Sequence, residues 1–164
     1  MSSPSVIADL LWQAYVGEPG AAGTAWHGPS VRMAVQGVSA RDAARHVDGV
    51  HSIWELALHI ATWDDICRRR LEGEAIAITT GDPGDWPAST GASEDAWARD
   101  LDRLYASQER LVDAVRRLPA ERLPQQAAGC SWTNHTMIHG TLHHDLYHAG
   151  QIRLLRRLLE SGAA

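Results

Sequence analysis

The sequence predicts an all-α protein folded as a four-helix bundle, on three observations. Four long segments repeat apolar residues every three to four positions. The stretches between them are rich in Gly, Pro and Ser. Strand-like alternation is confined to "AIAITT", too short to build a sheet. A chain of 164 residues has the size of one domain, taken as 1–164, and can bury a core without disulfides.

The first helix is expected from about Ser5 to Val16, with Val6, Leu10 and Leu11 beside Trp12 on its apolar side. "GEPGAAGTAWHGPS" then breaks the chain, and "VRMAVQG" and "SARDAARHV" read as short helical turns. The second long helix opens at "HSIWELALHIATWDDICRRRLEG". There Ser52 and Glu55 have the spacing of a capping box, in which hydroxyl and carboxylate satisfy each other's free backbone N–H groups. Ile53, Leu56, Ile60, Trp63 and Ile66 follow at helical spacing, and Gly73 marks the stop. "GDPGDWPASTGAS" is a loop. The third helix is expected from Ser93 to Leu118, with Trp97, Leu101, Leu104, Leu111 and Val115 inward and Pro119 ending it. The fourth starts between Ser131 and Thr133 and runs to Leu159 or Glu160. The long second connection permits a crossover between non-adjacent helices, so the order around the bundle stays open.

A formal charge of −5 lacks the basic footprint of a nucleic-acid binder. Arg68-Arg69-Arg70 and Arg156-Arg157 lie near helix ends, where they suit the helix dipole. The N-terminus has no basic run before its apolar part, which carries Asp9, so no signal peptide is expected. Nor does any stretch reach the ~18 apolar residues of a membrane span. The expectation is a soluble cytoplasmic protein with no membrane partner. Cys67 and Cys130 lack metal-knuckle spacing.

The chemistry concentrates in "HHDLYHAGQIRLL", His143 to Leu155. With about 100° of rotation per residue, His148 lies about 40° from His144, and Thr141, Met137 and Leu155 lie within about 60° of it. That stripe is apolar and faces inward. His135 and His139 fall about 180° and 140° away, outside or at the rim, and His143 is intermediate at about 100°. Two imidazoles one turn apart can converge on one ion, or can be core histidines satisfied by hydrogen bonds. His59, on the face of Leu56 and Ile66, offers a third donor from the second helix. Three imidazoles suit zinc, nickel, iron or copper and argue against magnesium and calcium. They also leave positions open for water or substrate, as catalytic centres do.

"WHGPS" (Trp26 to Ser30), "HSIWELALHIATW" and "HHDLYHAGQIRLLRRLL", with the Trp86-Pro87 loop, resemble the DinB-like superfamily of damage-inducible, YfiT-related proteins. The resemblance implies a four-helix bundle with up-down-down-up connectivity, commonly a homodimer. It also implies a metal site of one histidine on the second helix and two on the fourth: His59, His144 and His148. The implied cofactor is a divalent transition metal, zinc or nickel ahead of iron or manganese. Induction by DNA damage concerns expression, not DNA binding. Characterised members include thiol-dependent S-transferases and maleylpyruvate isomerase, in which the metal would hold a low-molecular-weight thiol as its reactive thiolate. The resemblance therefore implies a metal-dependent enzyme that uses such a thiol on a small electrophile. Metal-dependent hydrolysis and a non-enzymatic, stress-related metal-binding bundle are the alternatives.

Several residues are candidates around that centre. Glu55, one turn before His59, is a capping residue that could also accept an imidazole N–H. Gln151 falls about 20° from His144 and needs a partner for its amide, structural or substrate. His27, in "WHGP", has the chemistry of a general acid or base, and loop anchoring is its simpler role. Asp145 and Tyr147, about 100° and 60° from His144, could orient ligands, with helix–helix or dimer contacts as their simpler role. Among the seven tryptophans, Trp12, Trp54, Trp63 and Trp97 read as core or interface, while Trp26, Trp86 and Trp132 could line a pocket. Both cysteines read as bystanders.

Overall fold

The computed structural model describes residues 3–17, 24–47, 49–89 and 91–162. Four long helices carry it: α1 (Pro4–Val16), then, after short helices α2 (Val31–Val35) and α3 (Ala40–Ala43), α4 (Ile53–Leu71), α5 (Glu94–Arg117) and α6 (Asn134–Glu160). Each long helix starts on a hydroxyl cap, at Ser3, Ser52, Ser93 and Thr133. Such a cap is worth about 1 kcal/mol, because it occupies a backbone N–H that no carbonyl can reach. At Ser52 the full capping box forms, Glu55 accepting from the Ser52 N–H at 2.9 Å. The only strands among the described residues are the pair β1 (Thr24–Ala25) and β2 (Gly28–Pro29), a hairpin turning at Trp26 and His27. Residues 18–23 of the break expected after α1 lie outside the described residues.

α1 packs mainly against α5 and α6, and so does α4. Neither α1 with α4 nor α5 with α6 packs closely, so two steps are non-neighbouring: α1 to α4, through α2 and α3, and α5 to α6. The long connection between α4 and α5 joins the pair with the most extensive contact, so the crossovers lie on either side of the connection whose length suggested one. The core between the helices includes Ile7, Leu11, Trp54, Leu104, Leu111 and Ile152. Trp54 donates from its indole to Asp100 at 2.7 Å and Trp97 to the Val38 carbonyl at 2.8 Å, so two large rings are buried without orphaned N–H groups.

Two local expectations change. α1 buries Ile7, Leu11 and Tyr15, spaced i, i+4, i+8, while Val6 and Leu10 are exposed. Val6 and Leu10 lie about 140° and 100° from Leu11, which takes them off the stripe once Tyr15 anchors it. "AIAITT" forms no strand. The buried Arg70 guanidinium donates to the Ile76 carbonyl at 2.7 and 3.0 Å and to the Ile78 carbonyl at 2.9 Å, taking acceptors that a strand would give to a ladder. Gly129 (φ +73°) lets the next loop press against this segment: a Cβ there would stand 2.5 Å from the Ile76 nitrogen.

Candidate metal centre

The capping box fixes where α4 begins, and regular winding then turns His59 inward with Trp63 one turn on. On α6 the Thr133 cap sets the start, and Met137, Thr141, His148, Ile152 and Leu155 are all buried. The two helices pack against each other, which brings three histidines from distant parts of the chain together. His59 Nε2 lies 2.9 Å from His144 Nε2, and His148 Nε2 lies 3.1 Å from the same atom. One nitrogen from each ring lies within 4.8 Å of the other two.

The opposite nitrogens explain why these three face one another. His59 Nδ1 meets the Asp85 backbone carbonyl at 2.6 Å, His144 Nδ1 meets Asp145 Oδ1 at 2.9 Å, and His148 Nδ1 meets Gln151 Oε1 at 2.6 Å. A carbonyl oxygen can only accept, so His59 and His148 carry their hydrogens on Nδ1. In these two neutral rings Nε2 is then a bare lone pair, and both lone pairs face His144 Nε2 at about 3 Å. A cation between the three nitrogens would take up these lone pairs. The residues fit a metal ion on this chemistry: three nitrogen donors, each oriented by an oxygen behind it.

Titration points the same way. Burial, opposed by the Asp85 charge, drops His144 to about 4. Burial likewise drops His148 to about 4, although Gln151 favours the charged form. His59 is also lowered, by burial first and by its positive neighbours, against the pull of Asp85. All three rings are neutral and able to ligate at neutral pH.

Behind His144 stands a buried polar cluster. Tyr15 Oη lies 2.9 Å from Asp64 Oδ1 and 3.1 Å from Asp145 Oδ2, and donates its one proton to this pair. Both carboxyls are wholly buried, and burial raises both, with Asp145 pushed up to about 8. Two adjoining carboxyls in such surroundings hold a proton between them. Asp85 differs. Burial opposes its charge, but the Gly81 N–H at 2.8 Å, the Trp63 indole at 2.8 Å and nearby imidazoles hold it below the usual carboxylate range.

The three nitrogens open onto a cavity of about 1160 Å³ whose wall includes Leu56, Ile78, Trp132, Met137, Leu155 and Leu158. His144 keeps 26% of its side chain exposed against 6% for His59, so the accessible side of the centre lies at His144. Trp86 covers the other side, its ring stacked 3.8 Å from His59 and 3.5 Å from His51.

The remaining sequence candidates fall in different places. Gln151 joins the centre through His148, and its amide donates to Tyr147 Oη at 3.1 Å, which sets Tyr147 at the cavity rim. Glu55 accepts from Ser52 and meets His51 at 3.3 Å, and it does not line the cavity. His27 sits exposed on the β1–β2 hairpin, away from the cavity wall, as does Trp26. Trp63, expected in the core or an interface, lines the cavity, and so do Cys67 and Cys130. Burial pushes the Cys67 thiol up to about 12. Of the two roles open to Asp145, the structure shows the orienting one, with its carboxyl against His144 Nδ1. Asp85, Asp64 and Tyr15 escaped sequence reasoning. The Asp-Trp-Pro of the loop marked its region, but nothing local linked Asp85 to His59, 26 residues away.

An all-α bundle that turns three imidazole nitrogens toward one point defines a class of helical proteins able to hold a metal ion in their interior. This chain belongs to the DinB superfamily, whose family model matches residues 25–152, a span that contains all three histidines. No curated protein and no solved structure matches it significantly.

Proposed function

We propose that the protein is a metal-dependent enzyme that uses a low-molecular-weight thiol on a small electrophile, as an S-transferase or isomerase. One observation carries the reading: three oriented, neutral imidazoles meet at the wall of a large cavity and leave one side accessible. His59, His144 and His148 would hold the ion; imidazole donors suit zinc, nickel, iron or copper, and the family resemblance favours zinc or nickel, with iron or manganese as further candidates. Bound there, the metal supplies a positive charge that lowers the pKa of a thiol beside it. The chain does the rest. Asp85, Asp145 and Gln151 hold the imidazole tautomers, and the apolar wall excludes water and positions a small substrate.

Metal-dependent hydrolysis has less support. It needs a general base at the open side, and neither Glu55 nor His27 lines the cavity. The test is thiol consumption with a small alkyl or aryl halide, in which a carbon–sulfur bond forms, halide leaves and the thiol proton passes to solvent. Zinc- or nickel-loaded protein should accelerate the reaction, and His144→Ala should abolish the acceleration. Hydrolysis of ester or amide substrates without thiol turnover would overturn the proposal.

A further inference from the structure

A second row of histidines runs along the other side of α6. His135, His139 and His143 are spaced i, i+4 and i+8, and their rings contact in sequence, with centroids 4.5 Å and 6.4 Å apart. None of the three lines the cavity. His135 and His139 are half-buried and His143 is exposed. Among the described residues no hydrogen bond or ion pair engages their side chains, in contrast to every imidazole of the inner centre.

We propose that His135 and His139, with His143 as an outer third donor, form a surface binding site for a late first-row divalent ion, separate from the inner centre. The inner pair supplies the geometric standard: His144 and His148, also one turn apart, have ring centroids 4.4 Å apart. Metal–nitrogen bonds of 2.0–2.1 Å place two imidazole centroids about 4.5–5.2 Å apart, depending on the angle at the ion. The 4.5 Å of His135 and His139 lies in that range. His143, exposed and with its ring 6.4 Å from that of His139, is the next imidazole along the row. Partial burial and the flanking rings hold His139 below an ordinary imidazole, which leaves it neutral and able to donate. The ligand is therefore Cu²⁺, Ni²⁺ or Zn²⁺, with water completing the coordination, and hard oxygen-seeking cations are excluded.

The site stands independently of any reaction at the inner centre, and zinc titration of full-length, untagged, metal-free protein tests it. Wild type should take one tight and one weaker equivalent. His135→Ala/His139→Ala should keep the tight equivalent and bind the second at least about tenfold more weakly. His144→Ala/His148→Ala should lose the tight equivalent and keep the weaker one. Circular dichroism checks that the outer variant, altered at the surface, remains helical. A wild type without a second equivalent, or a second equivalent unchanged in the outer variant, would overturn the proposal. Loss of the tight equivalent alone would instead count against the inner centre.

Discussion

The two histidine pairs of α6 share a helix, a spacing and a ring separation, 4.4 Å for His144–His148 and 4.5 Å for His135–His139. Their surroundings separate them. The inner pair has a third ring from α4, an oxygen behind each Nδ1 and burial that keeps the rings neutral. The outer pair is half-exposed to solvent, and among the described residues it has no oriented acceptor. Spacing makes a histidine pair capable of chelation. A donor from a facing helix and fixed tautomers are what would let such a pair hold an ion tightly.

The largest expected effect comes from removing the ring that the facing helix supplies. His59→Ala leaves His144 and His148 with their acceptors but no donor from α4, and tight metal binding should fall toward the level of the outer row. Competition against a chromophoric chelator measures it. Removing one oriented acceptor should cost less. Asp145→Asn weakens the anchor of His144 and should lower metal affinity about 10–100-fold, and Gln151→Leu should fall at the low end of about 10–100-fold. An unchanged affinity in either variant would show that acceptors do not distinguish the pairs.

Acid should sharpen the comparison next. In unfolded chain an imidazole takes its proton near pH 6.5, whereas folded His144 and His148 wait until about pH 4. The unfolded state thus binds more protons between these values, and metal-free protein loses stability as pH falls from about 6.5 to about 4, with no further loss from these groups below that. Urea midpoints compared with His144→Asn/His148→Asn isolate the effect, since the buried carboxyls titrate in both proteins. The smallest effect belongs to the outer row: His135→Ala/His139→Ala should leave the inner affinity unchanged.

The fold was largely legible because its signals are local. Ser52 and Glu55 announce the start of α4 three residues apart, and the inward stripe of α6 follows from rotation alone. The cluster of His59, His144 and His148 was legible for the same reason, with only His59 needing a partner helix. The rest depends on contacts far along the chain. Asp145, about 100° from His144 on an ideal helix, still reaches its Nδ1 because the two residues are adjacent, and Tyr15 and Asp64 meet it only after α1, α4 and α6 assemble. Likewise "AIAITT" has the alternation of a strand, and Arg70 captures its carbonyls only once the loop folds back on α4. Val6 and Leu10 misled because a short apolar helix leaves its buried face ambiguous until Tyr15 finds the carboxyl pair.

Elemental analysis of untagged protein, dialysed against a weak competitor such as glycine to strip the surface row, tests the central claim most directly. Wild type should retain about one equivalent of transition metal, and His59→Ala, His144→Ala and His148→Ala should each retain almost none. A folded wild type that stays empty even after reconstitution with zinc or nickel would contradict the account and return the three histidines to core packing.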